Sequence, residues 1–145
     1  MKKVNIVIKR LKKQDIPLLG EILIDDGMKY RPNMIETFLD IPGNVGFIAR
    51  IEEQIVGLVY GYTLLDIDGR TMFYIYSVGI YNQYKKKDLG IELINRVIRY
   101  CEKKGISECF VLTNKNNTRA RKIFRKVGLK SKSDEDMLYS MRFDK

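Results

Sequence analysis

The spacing of apolar residues changes abruptly near residue 81, and this change constrains the fold more than any other feature of the sequence. Residues 71–80 form a continuous stretch rich in aromatic and β-branched side chains, which is typical of a strand. Residues 89–101 carry apolar side chains every three or four positions, the period of a helix with one buried face. A further strand is predicted at 106–113, so this part of the chain is a βαβ crossover joining two parallel strands.

The remaining elements are predicted on both sides of this crossover. Asp15, just before Pro17, is interpreted as the N-cap of a helix that runs to about Gly27. Other segments have the periods of strands at about 4–8, 45–51, 55–65, 129–131 and 137–143, and of helices at 32–39 and 120–127. The order predicts a mixed α/β (α+β) fold with about four helices and a mostly antiparallel sheet of six to seven strands.

Composition limits the classes of protein and site. With 145 residues and 45% apolar content, we expect a single domain spanning residues 1–145. The absence of histidine excludes a Ser-His triad and histidine-ligated metals, and no metal site is expected. No apolar run is long enough to cross a membrane, and the N-terminal residues do not resemble a secretory signal. We therefore expect a cytoplasmic protein with Cys101 and Cys109 reduced.

The net charge of +9 is concentrated in one segment. Residues 85–132 contain fifteen basic and four acidic residues, whereas the rest of the chain has a small net negative charge. Such a segment would attract nucleic acid, an anionic surface or a polyphosphate ligand. Because it lacks interleaved exposed aromatic residues and any known reading motif, nucleic acid is not expected as a partner.

The loop before the crossover helix has the features of an anion site. Lys85, Lys86 and Lys87 precede a helix beginning near Asp88, and Gly90 would let a ligand approach the backbone closely. A helix N-terminus presents unpaired N–H groups and a positive dipole end, which bind phosphate. A plain basic loop is the alternative interpretation.

Two motifs carry a resemblance to a known family. Residues 73–94 resemble the acetyl-coenzyme A signature of the GNAT superfamily of N-acetyltransferases. Asn117, Ala120, Phe124 and Gly128 resemble its second signature, Asn-x-x-Ala-x-x-x-Tyr-x-x-x-Gly-Phe. The opening Gln14-Asp15-Ile16-Pro17 and the hairpin around Ile55-Val56-Gly57 also suit that family, so the resemblance covers essentially the whole chain in the right order.

The resemblance implies acetyl-coenzyme A as donor substrate, bound in a cleft where the fourth and fifth strands splay apart. The strand backbone would pair with the pantetheine arm, the turn before the helix would hold the pyrophosphate, and Asn117 would contact the arm from the other side. The residues implied for cofactor binding are Val78, Gly79, Ile80, Lys85, Lys86, Lys87, Asp88, Leu89, Gly90, Ile91 and Asn117.

The sequence departs from the family pattern at two positions. Asp88 stands where the pyrophosphate turn has its first glycine, and it is interpreted as a helix N-cap that points aside; pointing inward, it would repel the cofactor. Phe124 stands where a tyrosine often protonates the departing thiolate, and it is interpreted as a core residue.

Three residues are candidates for proton transfer. Tyr76 and Ser77 occupy the positions where the family tends to have a strand carboxylate, and Tyr139 on the last strand could place a hydroxyl near the cleft. The acceptor amine must lose a proton before it attacks, and a water chain to one of these hydroxyls would suffice.

The predicted function is transfer of an acetyl group to a primary amine, by direct attack within a ternary complex. Asp25, Asp26, Glu36 and Asp40 favour a cationic acceptor such as a polyamine, an aminoglycoside-like sugar, or a lysine or N-terminus of a peptide. The stretch Tyr74-Ile75-Tyr76 resembles the small aminoglycoside 3-N-acetyltransferases, although those have aspartate at the Ser77 position. The alternative is a degenerate member that binds acyl-coenzyme A without catalysis, and the sequence leaves homodimerisation open.

Overall fold

A computed structural model describes residues 5–84, 88–131 and 137–143. Over these ranges the chain forms five strands: β1 (Val7–Arg10), β2 (Asn44–Ile51), β3 (Gln54–Leu65), β4 (Thr71–Ile80) and β5 (Glu108–Val111). The α-helices in the same ranges are α1 (Gly20–Asp25), α2 (Pro32–Asp40), α3 (Leu89–Lys104) and α4 (Thr118–Lys126). Short 3₁₀ helices occupy Lys13–Leu18 and Asn82–Tyr84.

The five strands form one open sheet in which spatial order follows chain order. The first three pairings, from β1 to β4, are antiparallel, as expected for strands joined in succession. β4 and β5 are parallel, and α3 makes the crossover between them. The predicted mixed fold with a central βαβ unit is confirmed.

Each face of the sheet is covered by a separate apolar cluster. On one face, Leu93 and Val97 of α3 belong to the same buried cluster as Phe73 and Ile75 of β4. On the other face, Ile22 of α1 is buried in a second cluster with residues of β2 and β3 such as Ile48 and Leu58. Burial on both faces fixes the sheet between two helical layers.

The predicted sheet of six to seven strands is wrong, because residues 129–131 and 137–143 are not strands. The large apolar side chains of the second segment are exposed, with fractions from 74% to 89% at Met137, Leu138, Tyr139, Met141 and Phe143. Alternating apolar residues indicate that a segment can form a strand, but a strand also needs a partner edge. The edge strand β5 is short, because it covers only Glu108–Val111 rather than the predicted 106–113.

The prediction of one helix starting at an Asp15 N-cap is also wrong. The segment contains the 3₁₀ helix Lys13–Leu18 followed by α1, and Asp15 lies inside the first of these. Its carboxylate is buried, accepts a hydrogen bond from the Lys12 backbone N–H at 2.9 Å and pairs with the ammonium of Lys9 at 3.1 Å. The carboxylate reaches back to the helix start from the third position, as an acidic residue does in a capping box.

Candidate functional site

β4 and β5 separate partway along their length. Their parallel pairing runs from Met72 opposite Glu108 to Ile75 opposite Val111, and β4 then continues to Ile80 with no β5 partner. A cleft of about 840 Å³ opens beyond the last pair. The backbone of β4 between residues 76 and 80 therefore has one edge along this cleft that β5 does not cover.

The walls of the cleft come from four parts of the chain. They are the last half of β4, the first turns of α3, the end of β5 with the loop after it, and one face of α4. Asp26, at the end of α1, adds a carboxylate from the opposite side of the sheet. The cleft thus has an apolar floor of strand and helix residues and charged groups at its borders.

A β-bulge in β4 orients Tyr76 and Ser77, the two strand residues predicted as candidates for proton transfer. Tyr60 pairs with Ser77 and Gly61 pairs with Ile75, so Tyr76 is an extra residue without a β3 partner. Ile75, before the bulge, is buried in the apolar cluster on the α3 side of the sheet, and Val78, after the bulge, packs against the same cluster. In a regular strand, side chains return to the same face after two or four residues, whereas here they do so after three. Tyr76 and Ser77 consequently both line the cleft.

Gly61 makes this bulge possible. A Cβ atom at this position would overlap the carbonyl oxygen of Tyr74 and press against the ring of Phe73. The backbones of β3 and β4 approach too closely here for any other residue.

Asp88 occupies the N-cap position of α3, but its side chain makes no capping hydrogen bond. Its backbone has a φ of 55°, in the left-handed region that favours glycine, and Asp is one of the few other residues that enter it. Asp88 is exposed and is one of the residues that line the cleft. The predicted capping hydrogen bond of the Asp88 side chain is therefore wrong, and the glycine in the family pattern at this position has a conformational reason.

The structure brings together most of the residues implied for cofactor binding. Val78, Ile80, Asp88, Gly90, Ile91 and Asn117 line the cleft. Gly79 is buried within β4, and Leu89 is a core residue that is 1% exposed. Lys85, Lys86 and Lys87 lie outside the described residues.

The candidates for proton transfer divide into two groups. Tyr76 and Ser77 lie at the inner end of the cleft, and Phe124 of α4 also lines it. Tyr139 is 85% exposed and is not among the residues lining the cleft, because the strand expected to carry it there does not form.

Sequence reasoning missed three cations of α4 that border the cleft. Arg119, Lys122 and Lys126 all line it. Their spacing of three and four residues places them on one face of a helix, and this pattern was available in the sequence. Asn117 begins the same helix, where its side-chain oxygen accepts a hydrogen bond from the Ala120 backbone N–H at 3.1 Å.

A second recess, of about 370 Å³, lies between α1, α2 and β3. We call it the aromatic pocket, and its lining residues are Leu11, Leu19, Leu23, Met28, Lys29, Arg31, Met34, Ile35, Phe38, Leu58, Tyr60 and Tyr62. The ring centroid of Phe38 lies 5.6 Å from those of both Tyr60 and Tyr62, in edge-on geometry. These rings form one wall of the pocket.

The aromatic pocket and the cleft meet at Tyr76. The Tyr76 ring, which lines the cleft, lies 5.9 Å from the ring of Tyr60 and 5.6 Å from that of Tyr62. Burial raises the pKa of Tyr60 above its usual value, and Asp26 adds to the rise while the neighbouring Ser77 hydroxyl opposes it. Tyr60 is therefore a neutral hydroxyl at physiological pH.

Asp26 stands at the same junction. A methyl group in place of the Gly79 hydrogen would lie 3.4 Å from a carboxylate oxygen of Asp26, so this carboxylate lies over β4 two residues beyond Ser77. The other acidic residues of this half are placed differently. Glu36 and Asp40 both pair with the ammonium of Lys13, at 3.9 and 2.5 Å, and neither lines the aromatic pocket.

Cys101 and Cys109 are free thiols whose side chains contact each other between α3 and β5. Their hydrogen bond raises the pKa of Cys101 and lowers that of Cys109. Neither lines the cleft or the aromatic pocket. Within the described ranges no three Cys, Asp or Glu side chains cluster as a metal site, and no helix has the length and apolar character to cross a bilayer.

The model of the acetyltransferase (GNAT) family matches residues 17–129, which include the cleft's β4, α3, β5 and α4. The chain belongs to the GNAT acetyltransferase family. A comparison with curated protein sequences gives no match.

Solved GNAT structures share the fold. An aminoglycoside acetyltransferase from an uncultured soil metagenomic sample, in complex with trehalose, has a TM-score of 0.79 at 21% identity over 97% of each chain. Glucosamine-6-phosphate N-acetyltransferase from Arabidopsis thaliana has a TM-score of 0.81 at 14% identity, covering 97% of this chain and 99% of that one. An aminoglycoside N-acetyltransferase in complex with CoA has a TM-score of 0.77 at 16% identity over 98% of each chain.

Proposed function

We propose that this GNAT protein transfers an acetyl group from acetyl-coenzyme A to the primary amine of a cationic acceptor, by direct attack in a ternary complex. The observation that carries the proposal is the divergence of β4 from β5, with the cleft between them. The β4 backbone beyond Ile75 has an edge toward the cleft, where an extended amide-containing arm can pair as an added strand.

The charged end of the donor is proposed to lie between α3 and α4. Lys122 and Lys126 supply positive charge at the cleft border, and the first N–H groups of α3 face the same space. Lys85, Lys86 and Lys87 are proposed to add to this charge, as the resemblance implies. The side-chain oxygen of Asn117 is used by α4, so its amide NH₂ is the group left for a ligand.

The chemistry needs a neutral amine and a stabilised oxyanion. The amine nitrogen forms the new N–C bond, the C–S bond breaks, and the proton lost by nitrogen passes through water while sulfur gains one. We assign the proton path to Tyr76 and Ser77, which line the cleft, rather than to Tyr139, which is exposed and is not among the lining residues. A backbone N–H of β4 would stabilise the developing negative charge on oxygen.

Calorimetry with acetyl-coenzyme A tests the donor site. We expect one site per chain, and the Lys122→Glu/Lys126→Glu variant should lose about tenfold in affinity because two charges at the cleft are reversed. The matched variant Lys103→Glu/Lys104→Glu changes the same charge at the exposed end of α3 and should stay within about twofold. Absence of binding at millimolar acetyl-coenzyme A would contradict the proposal.

A second candidate function is binding of acyl-coenzyme A without catalysis. It is favoured by Phe124, which lines the cleft without the hydroxyl that the family's tyrosine offers. Thiol release measured across a broad panel of amines separates the two functions. Donor binding with no thiol release for any amine would favour the second.

A further inference from the structure

The aromatic pocket beside the cleft indicates which class of amine is acetylated, an inference that rests on the proposed function. We propose that the acceptor is a small monoamine with an apolar, ring-bearing body, which lies in the aromatic pocket while its amino group lies at Asp26 and Ser77. Such an acceptor differs from the polyamines and aminoglycosides that the acidic residues of the sequence suggested.

The chemistry of the pocket wall supports an apolar body. Three aromatic rings, those of Phe38, Tyr60 and Tyr62, line it together with aliphatic side chains from α1 and α2. Met28 and Met34, also in the lining, are 36% and 58% exposed. Exposed methionines beside aromatic rings form an adaptable apolar surface that water solvates poorly.

The charges at the pocket disfavour a polycation. The only charged side chains in its lining are Lys29 and Arg31, and neither has an ion-pair partner among the described residues. Two carboxylates nearby, those of Glu36 and Asp40, line neither recess and share the ammonium of Lys13, which offsets part of their charge. An acceptor with several ammonium groups would place positive charge beside these two cations.

The position of Asp26 fits a single ammonium group. Its carboxylate lies over Gly79 at the inner end of the cleft, whereas the described lining of the pocket beyond Tyr60 includes no acidic residue. One positive charge can therefore be held where the acetyl group is delivered, and the rest of the molecule enters apolar surroundings. The volume of about 370 Å³ is at the lower end for small-molecule pockets, which suits one ring-bearing molecule better than an aminoglycoside of several sugar rings.

Because the two recesses adjoin, an acceptor bound in the aromatic pocket can place its amine in the cleft. Tyr76 and Ser77 line the cleft, and Tyr60, in the pocket wall, pairs with Ser77 across the β3–β4 ladder. A body seated against Tyr60 and Tyr62 would hold its amine beside the uncovered β4 backbone. Asp26 is then a binding and positioning residue for the ammonium group before it loses its proton.

The test compares phenethylamine with spermidine and kanamycin as acceptors, by thiol release at saturating acetyl-coenzyme A. We expect kcat/KM for phenethylamine to exceed that for either polycation by at least tenfold. Tyr62→Ala should raise the KM for phenethylamine about tenfold through loss of apolar contact, without changing kcat by more than about twofold. Tyr100→Ala, which removes a ring packed against Phe47 and Phe73 outside both recesses, should leave this KM unchanged.

Two charge variants sharpen the test. Asp26→Asn should raise the KM for phenethylamine about tenfold while acetyl-coenzyme A affinity is kept, and the adjacent Asp25→Asn, which lines neither recess, should not. Lys29→Glu/Arg31→Glu should raise kcat/KM for spermidine about tenfold, and Lys103→Glu/Lys104→Glu should leave it unchanged.

Each outcome has one meaning. Failure of acetyl-coenzyme A to bind would overturn the proposed function itself. Donor binding together with a preference for spermidine or kanamycin would overturn only the inference about the acceptor. So would the absence of saturable phenethylamine binding to the CoA-bound protein, measured by calorimetry. Saturable binding that Tyr62→Ala weakens would support it even if turnover is slow.

Discussion

The cleft and the aromatic pocket adjoin each other, but the chain builds them in different ways. Apart from Asp26, the cleft takes its lining from residues 76–126, a nearly continuous stretch that includes the βαβ crossover and α4. The pocket takes its lining from residues spread between Leu11 and Tyr62, across α1, α2 and β3. The cleft depends on backbone edges and helix ends, whereas the pocket depends on side-chain packing. A family motif can therefore point to the proposed donor side, whereas only the folded chain defines the proposed acceptor side.

The largest effect is expected where the two regions join. Gly61→Ala would place a methyl group into the Tyr74 carbonyl oxygen and the Phe73 ring, so the bulge that holds Tyr76 and Ser77 must shift. We expect a loss of about 3 kcal/mol in the free energy of unfolding, measured by chemical denaturation. Gly20→Ala is the control, because its methyl group would make an ordinary 3.4 Å contact with Tyr30 and should not destabilise the protein. Equal stabilities of the two variants would refute this account of the bulge.

The second effect concerns the cleft alone. Asp88→Gly removes a carboxylate that lines the cleft and relieves a left-handed backbone conformation. Acetyl-coenzyme A affinity should rise about threefold to thirtyfold in calorimetry, for a lost repulsion of about 0.7–2 kcal/mol. Asp88→Asn separates the causes, because asparagine tolerates the same conformation without the charge. A weaker donor affinity in both variants would mean that the carboxylate orders the turn instead.

A smaller effect is expected at Phe124. Phe124→Tyr adds a hydroxyl to the cleft wall, where it could protonate the departing thiolate. A thiolate leaves with little assistance because thiols are moderately acidic, so we expect kcat to rise only about fivefold. Phe110→Tyr, on β5 outside the cleft, is the control for an added hydroxyl. If neither variant changes kcat in single-turnover measurements, proton donation to sulfur does not limit the reaction.

An effect of similar size distinguishes the two recesses by their dependence on salt. Raising ionic strength from about 0.05 to 0.5 M should weaken acetyl-coenzyme A binding about fivefold, because Arg119, Lys122 and Lys126 border the cleft. Phenethylamine affinity for the CoA-bound protein should change by less than about twofold, since apolar contact supplies most of it. Equal salt dependence of both titrations would show that charge governs the acceptor side as well.

The agreement between sequence and structure was greatest where local patterns specify local structure. The strand Thr71–Ile80 and the helix Leu89–Lys104 followed from the change of period near residue 81. Five cofactor candidates, Val78, Ile80, Asp88, Gly90 and Ile91, meet in one cleft because a βαβ crossover places the end of a strand beside the start of the next helix. The motif at Asn117 likewise coincides with the start of α4.

The errors arose where the outcome depends on how separate segments pack together. The alternating residues 137–143 are compatible with a strand, but no described strand pairs with them, and Tyr139 is left exposed. Asp15 resembles an N-cap, but the proximity of Lys9 and Arg50 makes it a buried ion-pair residue. Neither the missing partner strand nor the packing of Lys9 and Arg50 around Asp15 can be inferred from the local sequence pattern.

By itself, the sequence determined the periodicity of its strands and helices, the positive charge around the crossover and the motifs of the GNAT family. Tertiary structure decided the rest of the site: the bulge at Tyr76, the place of Asp26 over Gly79, and the meeting of Phe38, Tyr60 and Tyr62. The spacing of apolar residues in a strand or helix is a property of residues adjacent in the chain, so it can be predicted from them. The contacts of a pocket arise only when segments tens of residues apart are packed together, because side-chain shape and burial are then settled by neighbours that the local sequence does not contain.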